Sequence, residues 1–502
     1  MLKRTLAGPC VGVFISLLAL SAGAQDTLPP GVLAALKTAE VPAEAFSAMA
    51  VPLSHRAPPW RHRAQEAMQP GSTMKLVTSI VALDRLGPNQ RGFTELRSAA
   101  PIVDGTLQGE LVLKGGADVE LDTARLWALL LELRQRGVGR IDGDILIDRT
   151  LFRPARSDVG LPPFDESPEF YYNVIPDALY LNGHLMPLEL SAAAEGGVAV
   201  STTPPLPALQ FESRMTLVEA PCGEWDKHWR PAQLQRGSGE EAGQLRVVLN
   251  GAFPRDCAQR TALQLIDRLE YEDRLLRAVW ESLGGSWTGR AREAAAPATG
   301  ALLARHVARP WGEVLRHLNK TSDNAEARLL YLLLGVPLMA ANPQTNTAEL
   351  AAREVRAWFA ENRIETAGLV LDNGSGLSRS ERISPQQMTA LLKAAWNGRH
   401  AHDFIATLPT AGIDGTLRNR LKAGPATGWA RLKTGTLRNV VGLAGYVNDS
   451  RGRPWAVSMV VNHDNAGRAR PVLDALVDAF ARGTPSVFVR RGPGVGPQGE
   501  GP

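Results

Sequence analysis

The sequence predicts a mixed α/β (α+β) protein whose principal domain is interrupted by a β-rich insertion. Stretches 25–95 and 301–483 alternate helical periodicity with apolar strand-like runs, whereas 96–300 contains mostly short β-like runs. A chain of 502 residues is longer than one ordinary domain, so two or three domains are expected. The composition, 44% hydrophobic and 21% charged, is typical of a globular protein.

The segment 1–24 has the pattern of a secretory signal peptide. Lys3 and Arg4 precede an apolar run at 11–20, and small residues at 22–24 supply a cleavage site. The alternative is a membrane anchor, but a span needs about 20 apolar residues and this run is shorter. We therefore expect an exported protein with no membrane span after cleavage, and peripheral association with the membrane stays open.

Cysteine usage agrees with export. Cys10 would leave with the signal peptide, and Cys222 and Cys257 remain, separated by 35 positions. An oxidising compartment favours one disulfide between them, and two free thiols are the alternative. The net charge of +4, without a long basic run, argues against a nucleic-acid partner.

Apolar periodicity predicts the helices and strands. The helix expected at 74–87 has apolar residues on most faces, so it belongs inside a domain, and Gly87-Pro88 ends it. The other predicted helices are 122–136, 323–335, 347–361, 384–396 and 468–481. The predicted strands are 109–113, 141–147, 245–249, 440–447 and 455–461, the last two forming a hairpin. The Pro/Gly-rich segment 484–502 predicts a disordered tail.

The first candidate for chemistry is a Ser-x-x-Lys step formed by Ser72 and Lys75. Residues three apart share one face of a helix, so the hydroxyl and the amine meet as a nucleophile and a base. A chain of this length holds about one such match by chance. The step therefore gains meaning only from the rest of an acyl-transfer site.

Two further motifs supply that remainder. Ser322 and Asn324 frame a Ser-x-Asn motif at the start of a predicted helix, and Lys433 begins Lys-Thr-Gly before the predicted hairpin. Separately, Ser322 has an ordinary explanation as a helix cap and Lys433 as a solvated charge. The ordered set of three is the signature of serine β-lactamases and penicillin-binding proteins.

On these motifs the sequence resembles the class C low-molecular-mass penicillin-binding proteins, the D-alanyl-D-alanine carboxypeptidase/endopeptidase family. The Asp-Asn-Gly-Ser-Gly-Leu-Ser segment at 372–378 and the segments 408–417 and 442–446 extend the likeness. Ser72 and Ser322 are 250 positions apart, which is more than a compact β-lactamase needs. The resemblance implies a β-lactamase/transpeptidase-like penicillin-binding domain with inserted domains.

The resemblance also implies roles for the motif residues. Ser72 would attack the substrate carbonyl, and Lys75, with its pKa lowered by burial and by Lys433, would accept the proton. Ser322 would relay a proton to the leaving amine. Asn324 would hold the substrate amide and position Lys75.

Substrate binding is implied for the Lys-Thr-Gly-Thr segment. Lys433, Thr434 and Thr436, with Gly435 between the two threonines, would bind the terminal carboxylate of D-alanine. The backbone N–H groups of Ser72 and Thr436 would stabilise the oxyanion.

Three further residues are weaker candidates for substrate contacts: Arg379 would meet a charge of the substrate, and the resemblance implies that Asp165 and Tyr171 receive its diamino-acid side chain. Arg379 follows the 372–378 segment, and a surface ion pair is its alternative role. Asp165 and Tyr171 lie in an acidic and aromatic part of the insertion, where plain packing is the alternative. The nine histidines include no His-x-x-x-His pair, and no metal and no cofactor are expected.

The leading hypothesis is a periplasmic serine D,D-peptidase that acts on the stem peptides of peptidoglycan and is acylated by β-lactam antibiotics. A β-lactamase or esterase of the same superfamily, which would deacylate rapidly, is the first alternative. A non-enzymatic envelope protein built on an inactive penicillin-binding fold is the second. Preference between carboxypeptidase and endopeptidase activity stays open at this point.

Overall fold

The computed structural model describes residues 27–193, 196–239 and 242–483. The predicted signal peptide and the predicted C-terminal tail lie outside these residues. Within the described ranges, no helix combines the length and the apolar character that crossing a bilayer requires.

Helices and strands alternate along the described residues, as the predicted mixed α/β class requires. The helices are α1 (Pro30–Ala39), α2 (Lys75–Leu86), α3 (Thr123–Gln135), α4 (Arg268–Ser282), α5 (Trp311–His317), α6 (Asn324–Gly335), α7 (Thr347–Glu361), α8 (Pro385–Asn397), α9 (Ala401–Thr407) and α10 (Arg470–Ala481). The strands of the first half are β1 (Phe46–Pro52), β2 (Trp60–His62), β3 (Arg91–Ser98), β4 (Ile102–Val103), β5 (Thr106–Leu107), β6 (Leu111–Gly116), β7 (Arg140–Ile141), β8 (Ile145–Asp148), β9 (Met186–Ala192) and β10 (Val198–Ser201). The remaining strands are β11 (Leu209–Ser213), β12 (Thr216–Val218), β13 (Trp229–Arg236), β14 (Leu245–Pro254), β15 (Ala258–Leu263), β16 (Ser286–Trp287), β17 (Ala291–Glu293), β18 (Ala301–Pro310), β19 (Arg431–Leu437), β20 (Val440–Asn448) and β21 (Pro454–Asn462).

One antiparallel sheet joins segments from both ends of the chain. Its strand order is β19-β20-β21-β1-β2, and β1 pairs with β21 so that Phe46 lies opposite Val461. The segments that precede and follow the β-rich region therefore share a single hydrogen-bonded sheet.

The two faces of this sheet carry separate apolar layers because strand side chains alternate between faces. Leu443 and Val457 belong to the layer that contains α1 and α10. Ala444 and Ala456 belong to the layer formed by α2, α5, α6, α7, α8 and α9. Small residues on this second face allow the helices to approach the sheet closely.

Helices α2 and α6 form the centre of that helical layer. All nine residues of α2 from Lys75 to Leu83 are buried, and so are all residues of α6 from Ala325 to Gly335. A helix with no solvent-exposed side is held by packing on every face, so both helices are rigid supports for the residues at their N-termini.

The β-rich region between them has its own apolar core. Its sheets run β17-β8-β6-β3-β18, β16-β7-β5-β4, β10-β9-β15 and β11-β14-β12, with β13 also pairing to β14. In the first of these, β3 pairs with β18, so Thr94 lies opposite His306. This sheet therefore includes residues on both sides of the predicted boundaries at 96 and 300.

The predicted helices are confirmed with small shifts of their ends, and the predicted hairpin is formed by β20 and β21. Helix α4 was not predicted, although its sequence carries a signal. Asp267 accepts a hydrogen bond from the Leu269 N–H as its N-cap, and Tyr271, Leu275 and Val279 form a buried stripe. Helix α4 lies in a region that otherwise consists mostly of strands.

Cys222 and Cys257 form a disulfide in this region. Cys222 begins a short 3₁₀ turn before β13, and Cys257 immediately precedes β15. We expect Cys222→Ser or Cys257→Ser to lower the free energy of unfolding by about 3–4 kcal/mol, because the unfolded chain gains the freedom of the opened loop. Chemical denaturation under oxidising conditions measures this.

The double variant serves as the control for the disulfide experiment. Both single variants break the same bond, so the double variant is expected to match either one. A single variant that unfolds at the wild-type denaturant concentration would contradict a stabilising disulfide.

Candidate active site

Ser72 and Lys75 lie at the junction between a 3₁₀ turn, Gly71–Met74, and α2. The Lys75 amine donates to Ser72 Oγ at 3.0 Å and to Asn324 Oδ1 at 2.6 Å. It also donates to the backbone carbonyl of Ser375. Ser72 is part-exposed whereas Lys75 is fully buried, so the hydroxyl is accessible while the base is shielded from water.

Burial determines the electrostatics of Lys75. Removing the ammonium from water lowers its pKa to about 7, although the negative charges of Asp323 and Glu381 partly oppose the shift. Arg328 adds a smaller lowering effect on this pKa. A substantial fraction of the amine is therefore neutral near pH 7 and able to accept a proton.

Ser322 and Asn324 lie at the start of α6, as predicted. Ser322 ends a π-helical turn, Leu318–Ser322, and has a left-handed backbone with φ +67°, an uncommon conformation for serine. Asp323 then caps α6 by accepting from the Glu326 N–H at 2.8 Å. This abrupt change of direction turns Ser322 toward the neighbouring strand.

That strand is β19, at the edge of the five-stranded sheet, and it carries Lys433 to Thr436. The buried Lys433 amine donates to Ser322 Oγ at 2.7 Å and to its neighbouring carbonyl, Thr434 O, at 2.9 Å. Burial, and then the charge of Lys75, lower the pKa of Lys433 well below its usual value. Lys75 and Lys433 are thus both buried in this site. Lys75 is hydrogen-bonded to the Ser72 hydroxyl, and Lys433 is hydrogen-bonded to the Ser322 hydroxyl.

Close backbone packing brings the remaining candidate groups together. A side chain added at Gly435 would lie 3.1 Å from the Ser72 nitrogen, and one added at Gly71 would lie 3.1 Å from the Thr436 nitrogen. The Thr434 hydroxyl donates to Thr416 Oγ1 at 2.8 Å. The two backbone N–H groups named from the sequence are therefore neighbours across a glycine–glycine contact.

The loop 372–376 forms the back wall of this site. Ser375 accepts from Lys75 through its carbonyl, and Gly374 O accepts from Thr78 Oγ1 at 2.7 Å. Gly376, with φ +81°, lies so close that an added Cβ would be 2.0 Å from Gly71 O. The sequence identifies this segment but gives no role to Ser375. Every residue has a backbone carbonyl, so the residue type does not reveal that this carbonyl accepts a hydrogen bond from Lys75.

The β-rich region between α2 and α6 also reaches the site. Asn324 Nδ2 donates to the backbone carbonyl of Tyr172 at 2.8 Å, while its oxygen accepts from Lys75. Tyr171, which precedes Tyr172 in the chain, is 61% exposed and packs edge-on against the Tyr172 ring. Asp165 accepts from Asn173 Nδ2 at 2.8 Å and thereby supports the same short turn.

Arg379 lies beside a groove of about 920 Å³ between the insertion loop 154–168 and the segment 372–380. Its guanidinium stacks over Phe164 at 5.0 Å and donates to the Phe164 carbonyl at 3.3 Å. Within the described ranges, the Arg379 guanidinium is held by Phe164 and not by the surface carboxylate considered as an alternative from the sequence.

One cluster of metal-ligand types lies near the Ser-x-Asn motif. Potential ligand atoms of His317, Asp323 and Glu326 lie within 4.8 Å of one another. His317 Nδ1 is 3.0 Å from both Glu326 oxygens, and Asp323 caps α6. Each of these side chains therefore already has a partner in the protein.

The geometry defines a class of enzyme. A hydroxyl beside a buried amine, a second serine–lysine pair, and two adjacent N–H groups are the parts of a serine acyl-transfer site.

Comparison with known proteins defines the family. Residues 32–482 match the model of the D-Ala-D-Ala carboxypeptidase 3 (S13) family, and the chain belongs to that family. It is therefore a serine D,D-peptidase, a hydrolase. Its relatives include a D-alanyl-D-alanine carboxypeptidase of Actinomadura sp. (strain R39), 30% identical over 83% of this chain and 76% of that protein. The D-alanyl-D-alanine carboxypeptidase DacB of Haemophilus influenzae is 26% identical over 80% of this chain and 81% of that protein.

Solved structures agree on the fold. The crystal structure of penicillin binding protein 4 (dacB) from Haemophilus influenzae superposes with a TM-score of 0.71 at 24% identity, covering 89% of this chain and 99% of that one. A second structure of that protein, complexed with a novel β-lactam, gives a TM-score of 0.68 at 22% identity, with the same coverage.

The contact at Gly376 makes a prediction about the site. Gly376→Ala forces a Cβ into Gly71 O, displaces the Ser72 turn, and is expected to slow acylation of Ser72 by a fluorescent β-lactam at least ~100-fold. Gly452→Ala is the matched control. Gly452 has a similar φ of +72° in the β20–β21 loop, but nothing lies within 4 Å of an added Cβ.

The control variant is expected to lose only the roughly 1 kcal/mol that a left-handed alanine costs, with wild-type labelling. Labelling rates and thermal unfolding temperatures separate the two effects. Equal labelling by both variants would contradict a role for the close contact at Gly376.

Proposed function

We propose that this chain is an exported D,D-peptidase that cleaves D-Ala-D-Ala termini, D-Ala–diaminopimelate cross-links, or both, in peptidoglycan, through an acyl-enzyme on Ser72. The observation that carries the proposal is the Lys75 amine, buried, with a lowered pKa, and 3.0 Å from Ser72 Oγ. We also propose the domain division predicted from the sequence, with an insertion over 96–300. The proposed location of the protein is the periplasm.

In the first step, Ser72 Oγ attacks the carbonyl carbon of the substrate peptide bond while Lys75 accepts the hydroxyl proton. The N–H groups of Ser72 and Thr436 donate to the oxyanion that forms. Their proximity supports this role, because each nitrogen lies at the glycine contact described above. Asn324 Oδ1 holds the Lys75 amine in line with Ser72.

In the second step, the tetrahedral intermediate collapses, the C–N bond breaks, and the leaving amine takes the proton that Lys75 received from Ser72, so that Lys75 is neutral again. Ser322 is the proposed relay for this proton, and its hydroxyl accepts a hydrogen bond from the Lys433 amine at 2.7 Å. Water then attacks the ester carbon and gives its proton to Lys75. The ester bond to Ser72 breaks as Lys75 returns this proton to Ser72 Oγ, and the free serine, the neutral Lys75 amine and a carboxylic acid product result.

Substrate anchoring is assigned to β19. A carboxylate arriving beside Lys433 favours the ammonium form, because an opposite charge raises the pKa that burial had lowered. The same edge strand contains Thr434, Gly435 and Thr436. A terminal D-alanine carboxylate fits this donor set.

The substrate's diamino-acid side chain is proposed to meet Arg379, Asp165 and Tyr171. Exposure of Tyr171 and the position of Arg379 beside the groove support this assignment. Asp165 also accepts a hydrogen bond from Asn173, so part of its role is to support the turn that carries Tyr171.

Intact-mass spectrometry after incubation with a β-lactam tests the acyl-enzyme. Wild-type protein is expected to gain one adduct that Ser72→Ala lacks. Lys75→Ala is expected to acylate at least ~100-fold more slowly, because the proton acceptor is lost. Lys393→Ala, an exposed lysine on α8, is the matched control and should acylate at the wild-type rate.

An adduct retained by Ser72→Ala would exclude Ser72 as the nucleophile. Purified muropeptides then separate the products: release of free D-alanine identifies carboxypeptidase action, and conversion of dimers to monomers identifies endopeptidase action. Rapid turnover of a chromogenic β-lactam, with no lasting adduct, would instead support the alternative β-lactamase.

The pH dependence of acylation follows from Lys75. Acylation requires the neutral amine, and the pKa of Lys75 is about 7, so the rate is expected to rise with pH through about 7 and then level off. Stopped-flow acylation by a β-lactam measures the profile. A rate that is already maximal two units below this pH would show that another group accepts the proton.

A further inference from the structure

Glu381 has a carboxylate that is fully buried and serves no role in the mechanism above. Its Oε1 accepts backbone N–H groups of three successive residues, Asp372 at 3.4 Å, Asn373 at 3.2 Å and Gly374 at 2.9 Å. Its other oxygen has no hydrogen-bond partner among the described residues. Three N–H groups gathered on one oxygen fix the path of the chain immediately before Ser375.

The loop held in this way is the wall that contacts both members of the Ser-x-x-Lys step. Ser375 O accepts from Lys75, and Gly376 lies against the backbone of Gly71 and Ser72. A displacement of this loop would move the acceptor of Lys75 and the support of Ser72 together. Glu381 therefore acts on the site through the loop and does not touch the reacting atoms.

The charge of Glu381 needs a separate explanation. A buried carboxylate without an ion-pair partner is costly, and a neutral amide oxygen would accept the same N–H groups. Burial raises the pKa of Glu381 to about 7, and the Gly374 N–H partly opposes the rise. The negative charge acts on Lys75, whose pKa it raises against the effect of burial.

We propose that Glu381 is a positioning residue for the reaction at Ser72: its carboxylate holds the loop 372–376 against Ser72 and Lys75, and supplies a buried negative charge that balances the Lys75 ammonium. This inference rests on the proposed acyl-enzyme function. Other groups act on the same pair. Those that influence the titration of Lys75, Glu381 or both are Asp323, Arg328, Tyr331, Asp372 and Lys433.

The test compares two substitutions that separate the effect of the hydrogen bonds to the loop 372–376 from the effect of the negative charge of Glu381. Glu381→Gln keeps an oxygen for the three N–H groups and removes the charge. Glu381→Ala removes both. The rate of Ser72 acylation by a fluorescent β-lactam is measured from about pH 5 to 9. Thermal unfolding of each variant is measured in parallel.

For Glu381→Gln we expect a plateau rate within about threefold of wild type, and an acid limb moved to lower pH. The direction follows because loss of a nearby negative charge favours the neutral amine. For Glu381→Ala we expect the same movement of the limb, and a plateau at least ~10-fold lower because the loop is released.

Asp449→Asn is the matched control. Asp449 is a buried carboxylate that accepts the N–H groups of Arg451 at 2.9 Å and Arg453 at 3.0 Å in the β20–β21 loop. Its substitution is expected to leave the acid limb in place. An equal movement in this control would overturn a specific role for Glu381.

The remaining outcomes are also decisive. An unmoved acid limb in Glu381→Gln overturns the role of the charge, and a wild-type plateau in Glu381→Ala overturns the role of the loop contacts. If the alanine variant does not fold, the glutamine variant alone decides. Absence of a Ser72 adduct in wild-type protein would refute the proposed function itself, which these variants do not test.

Discussion

The buried hydrogen bonds of the Lys75 amine are the constraint on which the rest of this site depends. Three acceptors from separate parts of the chain converge on one nitrogen: Ser72 Oγ, Asn324 Oδ1 and the Ser375 carbonyl. An amine so placed loses the solvation that keeps it charged, and its pKa falls to about 7. Burial thus converts an ordinary lysine into a base suited to neutral pH, and the three acceptors aim it at the nucleophile.

The same burial explains why the fold is assembled from distant segments. Lys75 is dry because α2 and α6 are enclosed on all sides and the edge of the five-stranded sheet closes over them. That sheet pairs β1, which precedes the β-rich region, with β21, which follows it. A second buried lysine, Lys433, lies in this enclosure, where each positive charge disfavours the other.

The β-rich region contributes to the site through the turn that contains Tyr172. Tyr172 O accepts from Asn324, so a turn of the insertion fixes the amide that in turn orients Lys75. The groove beside Arg379 is formed jointly by the insertion and by the segment 372–380.

The sequence by itself determined the family resemblance, the main helices, the hairpin, and the residues at the centre of the site. It could do so because Ser72 and Lys75 are one helical turn apart. Ser322 and Lys433 belong to short motifs in which the side chains themselves carry the reactive groups, so the residue types are visible in the sequence. Only the tertiary structure decided the contacts that depend on backbone atoms or on distant pairing. The Ser375 and Tyr172 carbonyls place no demand on residue type, and the pairing of β3 with β18 joins strands about 200 positions apart, beyond the reach of any local pattern. Glu381 is the clearest case, because one glutamate among many acquires its role only when folding buries it beneath the loop that supports Lys75.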